Sequence, residues 1–142
     1  MGKFAEDHVE EAALEWLEEL GWTIAHGPNV SPDSPQPLRA AYQDVVLLDR
    51  LGEAVQRLNP AIPADTREEA IRRVLASETP SLVEENRRLH QYLVEGVPVE
   101  FYDDGNMRGD RVRLIDFGGS GGFDHNDWLA VNQFTVIEQG HN

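Results

Sequence analysis

The period of the hydrophobic pattern changes at Gly96, and this change constrains the fold more than any other feature of the sequence. Before Gly96, apolar residues recur every three or four positions, which indicates amphipathic helices. We expect four of them, over residues 5–20, 42–58, 65–75 and 80–95. After Gly96, apolar and polar residues alternate, which is typical of strands with one buried face. The order of elements predicts an α+β fold in which four helices pack against one mixed sheet.

Four segments are predicted strands. Residues 22–25 suit a short strand directly after the first helix. Residues 97–102 and 111–117 alternate on either side of an Asp104–Gly105 turn, which predicts a hairpin. Residues 129–137 form the last expected strand.

Two segments carry the pattern of neither a helix nor a strand. Residues 27–37 are rich in proline, asparagine and serine, which predicts a surface loop. Residues 118–127 begin with a run of glycines, which predicts a flexible loop. At the helix starts, Asp65 and Glu68 have the spacing of a capping box, and Thr79 is expected to cap the fourth helix.

Composition limits the classes of function. With 142 residues, 40% of them hydrophobic, we expect a single domain over 1–142. The absence of cysteine excludes disulfides, thiol catalysis and cysteine zinc sites. No run of eighteen apolar residues occurs and the N-terminus is acidic, so we expect a cytoplasmic protein with no membrane association. A formal net charge of -14 predicts that the chain alone binds DNA poorly, because phosphate binding requires clustered cations.

The first helix places an acidic residue on its apolar side. At about 100° per residue, Glu6 falls within the apolar arc and Glu10 lies at its edge; the arc consists of Val9, Ala13, Trp16, Leu17 and Leu20. A carboxylate turned toward a covered surface requires a partner or a metal ion, so Glu6 is a candidate metal ligand. The alternative is an acid of the first helical turn that is stabilised by the helix dipole and reaches water.

Three other polar features have simpler interpretations. Asn86 and His90 lie one turn apart beside the apolar face of the fourth helix, which predicts an internal polar pair rather than a catalytic one. The glycines of 118–122 lack the Gly-Lys-Ser/Thr ending of a phosphate-binding loop. Asp116 has the residue type of a metal-positioning aspartate in a nuclease, but no Glu-x-Lys accompanies it.

Several short motifs, in their order and spacing, resemble the N-terminal region of type I restriction enzyme R subunits. The resemblance extends over nearly the whole chain. Its motifs are Glu6 with Val9-Glu10, Leu20-Gly21-Trp22, 45–51, Leu58-Asn59-Pro60, 86–90, 93–100, 114–117 and 131–136.

The resemblance implies a DNA-cleaving parent protein. Such a subunit begins with a PD-(D/E)xK nuclease that uses Mg²⁺, continues with ATP-dependent translocase domains, and assembles on DNA with specificity and modification subunits. The resemblance also matches Glu6 to a first-helix glutamate that contributes to the metal site. The nuclease Asp and Glu-x-Lys follow the segment matched here by 131–136, so the expected sheet is incomplete and no catalytic residue is assigned within the chain. We therefore expect the isolated chain to be inactive.

Two other classes of function fit parts of the sequence. An acidic protein of this size could mimic DNA and inhibit restriction complexes, which requires acids spread along an outer face. The acids here concentrate in the first helix and in 65–104, which argues against a mimic. A standalone regulatory interaction module that keeps the scaffold without catalysis is the third interpretation.

Overall fold

The computed structural model describes residues 2–118 and 125–138. In chain order the elements are α1 (Gly2–Glu19), β1 (Thr23–His26), α2 (Gly27–Val30), α3 (Leu48–Leu58), α4 (Ala64–Leu75), α5 (Leu82–Glu95), β2 (Val97–Asp103), β3 (Asn106–Val112) and β4 (Leu129–Asn132). They belong to two compact units, one formed by Met1–Leu48 with Asp127–Asn142 and the other by Asp49–Asn126. No helix in the described ranges is both long and apolar enough to cross a membrane.

Each unit contains one small sheet. In the first unit, β1 and β4 pair in parallel, from Thr23 opposite Leu129 to His26 opposite Asn132. In the second unit, β2 and β3 form an antiparallel hairpin. The α+β fold is confirmed, but the single mixed sheet is wrong for the described residues, which form two separate two-stranded sheets.

The hairpin follows the period-two pattern of the sequence. Val97 and Val99 are buried, whereas Pro98 and Glu100, which alternate with them, are exposed. The turn residues Asp104 and Gly105 both have positive φ angles, 51° and 80°, as a two-residue hairpin turn requires. Because the turn is this short, pairing resumes at once and β3 spans Asn106–Val112 rather than the predicted 111–117.

The second unit has one apolar core. It is formed by residues from three helices, the loop after α3 and the hairpin: Val55, Ile62, Ala70, Tyr92, Val97, Val99 and Val112. Gly96 links α5 to β2 with φ +85°, and a Cβ there would lie 2.9 Å from the carbonyl oxygen of Val112. Glycine is therefore required where the helical pattern changes to the strand pattern.

The second predicted helix is shorter than expected. It begins at Leu48, and residues 42–47 form a turn and bends. The backbone N–H of Ala41 donates to the Asp44 carboxylate at 3.1 Å, and the N–H of Asp44 donates to the Ala41 carbonyl at 3.1 Å. These bonds close a local turn that competes with the helix.

Local chemistry also differs at the helix starts. Pro63 occupies the N-cap of α4, so Asp65 lies inside the helix and the capping-box prediction is wrong. At α5 the cap is Ser81, whose hydroxyl accepts from the N–H of Glu84, and not Thr79. Helix α4 thus begins one residue earlier than predicted, and α5 begins two residues later.

Two further predictions are corrected in part. The predicted loop 27–37 starts with the single helical turn α2, because Pro28 fits the first turn of a helix. The last strand ends at Asn132, since Gln133 has φ +51°, which ends the extended backbone. Of the predicted loop 118–127, residues 119–124 lie outside the described residues.

Candidate functional site

The carboxyl ends of β1 and β4 bring four polar residues of the first unit together. His26 and Asn132 form the last pair of the parallel ladder, and the His26 Nδ1 lies 2.7 Å from the Asn132 Oδ1. The next residue, Gln133, reaches α1, where its Nε2 donates to both carboxylate oxygens of Glu10 at 3.1 and 3.3 Å. The edge beyond the carboxyl ends of parallel strands is a common place for ligand sites.

Helix α1 directs Glu10 toward this edge. Glu10, Leu14 and Leu17 are half-buried and recur at helical spacing, so they form the covered face of the helix. The N–H of Trp22 donates to the Leu17 carbonyl at 3.0 Å and connects the helix end to β1. Glu10 is thus the helix acid in contact with the parallel strands.

Glu6 has a different position from the one predicted. Its side chain is exposed, and so are Val9, Ala13, Trp16 and Leu20 of the predicted apolar arc, with Val9, Trp16 and Leu20 at 70%, 67% and 77%. Of the predicted arc, Leu17 alone lies on the covered side of α1 in the described structure. The covered side is rotated toward Glu10, so Glu10 rather than Glu6 faces the parallel strands.

Close backbone packing at Gly27 fixes the carboxyl ends of β1 and β4 relative to each other. A Cβ on the buried Gly27 would lie 2.0 Å from the carbonyl oxygen of Gln133 and 2.6 Å from that of Asn132. Only glycine permits this approach without a backbone shift. The stacked rings of Trp22 and Trp128, with centroids 4.9 Å apart, hold the opposite ends of the same strands.

A buried arginine fixes the segment that follows β4. The Arg39 guanidinium donates to the carbonyls of Tyr42 at 3.0 Å and Asp44 at 2.9 Å, and also to that of Thr135. It lies 3.8 Å over the Phe134 ring, and the side chain is 7% exposed. Arg39 thereby ties the loop before α3 to the residues directly after Gln133.

The second unit contains a separate polar cluster around Asp116. Its carboxylate accepts from the N–H of Gly118 and from both the N–H and the ring Nδ1 of His125, at 3.0, 3.0 and 2.9 Å. The hydrogen bond from the His125 ring, followed by those from the two N–H groups, holds the pKa of Asp116 below its usual range. The Asn126 side chain pairs with the N–H and carbonyl of Asp116. The three described hydrogen bonds to the Asp116 carboxylate come from Gly118 and His125 at the two sides of the loop, which favours a structural role.

The predicted polar pair of α5 is not internal. Asn86 and His90 both have exposed side chains, and no hydrogen bond joins them. Tyr92 is the residue of α5 that enters the core, whereas Leu82 and Leu93 are exposed. The pair therefore faces solvent in the described structure.

The four residues at the strand ends offer part of a metal site. Glu10 supplies a carboxylate, Gln133 an amide oxygen and His26 an imidazole, all of which are ligand types for divalent cations. Among residues 2–118 and 125–138, no three His, Asp, Glu or Cys residues are grouped so that they alone could hold a metal ion. The set therefore suits a cation that also takes ligands from water or from other chain segments.

Sequence reasoning missed three members of this site. His26 lies between the predicted strand 22–25 and the predicted loop 27–37, and Asn132 and Gln133 lie inside the predicted strand 129–137. No local pattern shows that two strands more than a hundred residues apart pair in parallel. Arg39 lies just after the predicted loop 27–37, where no sequence pattern indicated a buried residue. The available signal was His26, a polar residue directly after the predicted strand 22–25.

Comparison with known proteins identifies the family. The family model described as type I restriction enzyme R protein N terminus matches residues 3–142. The chain is 30% identical over 131 residues to the type I restriction enzyme HindI endonuclease subunit of Haemophilus influenzae, covering 92% of this chain and 12% of that protein. It is also 30% identical over 135 residues to a putative type I restriction enzyme MjaIXP endonuclease subunit of Methanocaldococcus jannaschii, covering 94% and 12%.

The chain thus spans about an eighth of the length of these curated relatives. No solved structure matches it. Because the family model covers almost every residue, the chain belongs to the type I restriction enzyme R protein N-terminus family.

Proposed function

We propose that residues 1–142 are the amino-terminal part of the nuclease domain of a type I restriction enzyme R subunit. The observation that supports this most directly is the family match over 3–142, together with relatives named as endonuclease subunits. The parent protein would cleave foreign DNA with Mg²⁺ after ATP-driven translocation. It would work in the cytoplasm with specificity and modification subunits.

The contribution of this chain to the nuclease would come from the first unit. We propose that α1 supplies one metal-ligating carboxylate, and that Glu10 fills this role in place of the Glu6 assigned from the sequence. Glu10 contacts Gln133 at the carboxyl edge of the parallel strands, whereas Glu6 is exposed. Mg²⁺ bound there would neutralise charge on the scissile phosphate and activate water. Gln133 would hold the Glu10 carboxylate in place through its amide.

The isolated 142-residue chain should not cleave DNA. It contains no Glu-x-Lys, and Lys3 is its one lysine, so the cationic group that stabilises developing charge in such nucleases is missing. It has no phosphate-binding loop, so ATP would bind to other domains of the parent. DNA contact would likewise depend on the parent, given a net charge of -14.

A plasmid assay tests the isolated chain. We expect no nicking with Mg²⁺ and ATP, and no submicromolar affinity for duplex DNA at physiological salt. Metal-dependent nicking that disappears in Glu10→Gln would refute the proposed inactivity. Inhibition of an assembled restriction complex by the chain, through competition with DNA, would favour the DNA-mimic interpretation instead.

A chimera tests the proposed function. Residues 1–142 replace the aligned region of the Haemophilus influenzae subunit, and restriction of unmodified phage is measured in cells. DNA cleavage and translocation are measured with the purified enzyme complex. We expect the chimera to restrict. Glu10→Gln should lower cleavage by about a hundredfold or more while translocation persists, because the change removes charge and preserves an oxygen that Gln133 can contact.

Two matched variants complete the test. Glu15→Gln, exposed on α1, should leave cleavage unchanged. Glu6→Gln should do the same if Glu10 is the ligand. Loss of cleavage in Glu6→Gln with full activity in Glu10→Gln would restore the assignment made from the sequence and reject ours.

A further inference from the structure

We propose that the carboxyl edge of β1 and β4 binds a first-row divalent cation through the Nε2 of His26 together with the carboxylate of Glu10. The inference deepens the proposed function and rests on it for the role of Glu10. It adds an imidazole ligand, which the family resemblance did not supply. Its physical basis is the orientation of the His26 ring, the position of Glu10 and the charge of α1.

Within the described part of the chain, one hydrogen bond orients the His26 ring. Its Nδ1 lies 2.7 Å from the Asn132 Oδ1, and an amide oxygen can only accept. The hydrogen of the neutral ring therefore resides on Nδ1, and the lone pair resides on Nε2. A hydrogen bond at one ring nitrogen is the usual way in which proteins fix a histidine whose other nitrogen binds a metal. The side chain of His26 is exposed, so a hydrated cation can reach it.

Glu10 lies at the same end of the first unit as His26. From Leu17, which accepts from Trp22, the helix runs back seven residues to Glu10, or about 10 Å at 1.5 Å per residue. From Trp22, the strand runs four residues to His26, or about 13 Å at 3.3 Å per residue. The two estimates differ by about 3 Å, so Glu10 and His26 lie at similar distances from the turn that joins α1 to β1. Glu10 also bonds to Gln133, which directly follows Asn132, the partner of His26.

The surrounding charge favours a cation. Helix α1 contains seven acidic residues, namely Glu6, Asp7, Glu10, Glu11, Glu15, Glu18 and Glu19. Arg39, which contacts the residues directly after Gln133, is buried against backbone carbonyls and Phe134. A net negative potential raises the local concentration of divalent cations.

The ligand types select among cations. Imidazole is a good ligand for first-row transition ions such as Zn²⁺ and Ni²⁺, and Mn²⁺ accepts it beside carboxylate and water, whereas Mg²⁺ prefers an all-oxygen shell. Mn²⁺ should therefore bind through both His26 and Glu10. Mg²⁺ should engage Glu10 and depend little on His26.

Nuclear magnetic resonance on the isotope-labelled 142-residue chain tests the proposal with MnCl₂ as the probe. Because Mn²⁺ is paramagnetic, it broadens resonances near its binding site. We expect the His26 ring and the backbone amides of Glu10 and Gln133 to broaden first. In His26→Gln, the Mn²⁺ concentration needed for the same broadening at Glu10 should rise about tenfold, and in Asn132→Ala by a similar factor, because the ring loses its orientation.

Controls make both outcomes decisive. His90→Gln removes another exposed histidine and should change nothing, and the dispersion of amide resonances reports whether each variant is folded. Broadening of His26 that persists unchanged in Glu10→Gln, or equal Mn²⁺ titrations of wild type and His26→Gln, would overturn the proposal. The measurement involves no cleavage. A chimera that restricts phage, together with His26 resonances that Mn²⁺ does not broaden, would leave the proposed function intact and reject this inference alone. A chimera that fails to restrict while His26 and Glu10 bind Mn²⁺ would reject only the proposed function.

Discussion

The side chain of Asn59 pairs with both backbone groups of Arg113. Its Oδ1 accepts from the N–H of Arg113 at 2.7 Å, and its Nδ2 donates to the carbonyl of Arg113 at 2.9 Å and to that of Val55 at 2.8 Å. Asn59 is 5% exposed. The Asn59 amide therefore pairs with the backbone as a neighbouring strand would, and it joins the end of α3 to the residue after β3.

Asn59→Ala should destabilise the protein by about 2–4 kcal/mol, because it leaves the N–H and the carbonyl of Arg113 without their partner. Urea denaturation followed by circular dichroism measures the free energy of unfolding. Asn86→Ala, an asparagine exposed on α5, is the control and should stay within about 0.5 kcal/mol of wild type. An equally small effect in Asn59→Ala would show that water replaces the amide at no cost.

Gly27→Ala should destabilise the protein by about 1–3 kcal/mol, because the new methyl group meets the backbone of Gln133 and β4 must move. Gly52→Ala in α3 is a control with the opposite expected sign. A Cβ at Gly52 meets open space, so the change should stabilise by up to about 1 kcal/mol through helix propensity. Thermal unfolding of the two variants should thus move in opposite directions, and a shared direction would contradict the packing at Gly27.

Arg39→Lys should destabilise the protein by about 2–4 kcal/mol although it preserves the charge. A lysine ammonium lacks the planar group that stacks on Phe134 while donating to three carbonyls, so partly buried carbonyl acceptors lose their donors. Arg72→Lys, exposed on α4, should have almost no effect on the unfolding free energy. We also expect the amide resonance of Gln133 to shift in Arg39→Lys. An unchanged Gln133 resonance would show that the contacts of Arg39 do not position Gln133.

Asp116 should make stability depend on pH. Its folded-state pKa is lowered, chiefly by the hydrogen bond from the His125 ring. A carboxyl group with a lowered pKa stabilises the fold above its unfolded value of 3.8, and this stabilisation is lost as the pH falls through the lower folded value. Urea midpoints of wild type should therefore fall more steeply below about pH 4 than those of Asp116→Asn.

The control for this pH dependence is Asp7→Asn, an exposed acid on α1, which should leave the slope of wild type unchanged. Glu85, whose pKa is lowered chiefly by its hydrogen bond with Arg88, contributes a similar acid dependence that both variants retain. Parallel curves for wild type and Asp116→Asn would show that the bonds from His125 and Gly118 do not favour the ionised carboxylate.

The amino-acid sequence alone determined the class of fold and the family. Helical periodicity located α1, α4 and α5, and alternation with the Asp104–Gly105 turn located the hairpin, because these signals arise from neighbours within a few residues. Helical periodicity failed at 42–47, because a turn closed by the Asp44 carboxylate replaces the predicted helix there.

Tertiary structure decided which acid of α1 contacts the strands and what that acid meets. A helical arc shows which residues share a side, but the covered side depends on where β1 and β4 lie, and their parallel pairing joins residues 106 positions apart, His26 and Asn132. The same long-range pairing created the cluster of Glu10, His26, Asn132 and Gln133. No residue in that cluster carries a local pattern that identifies the others, since the distances between them are set by packing rather than by sequence spacing.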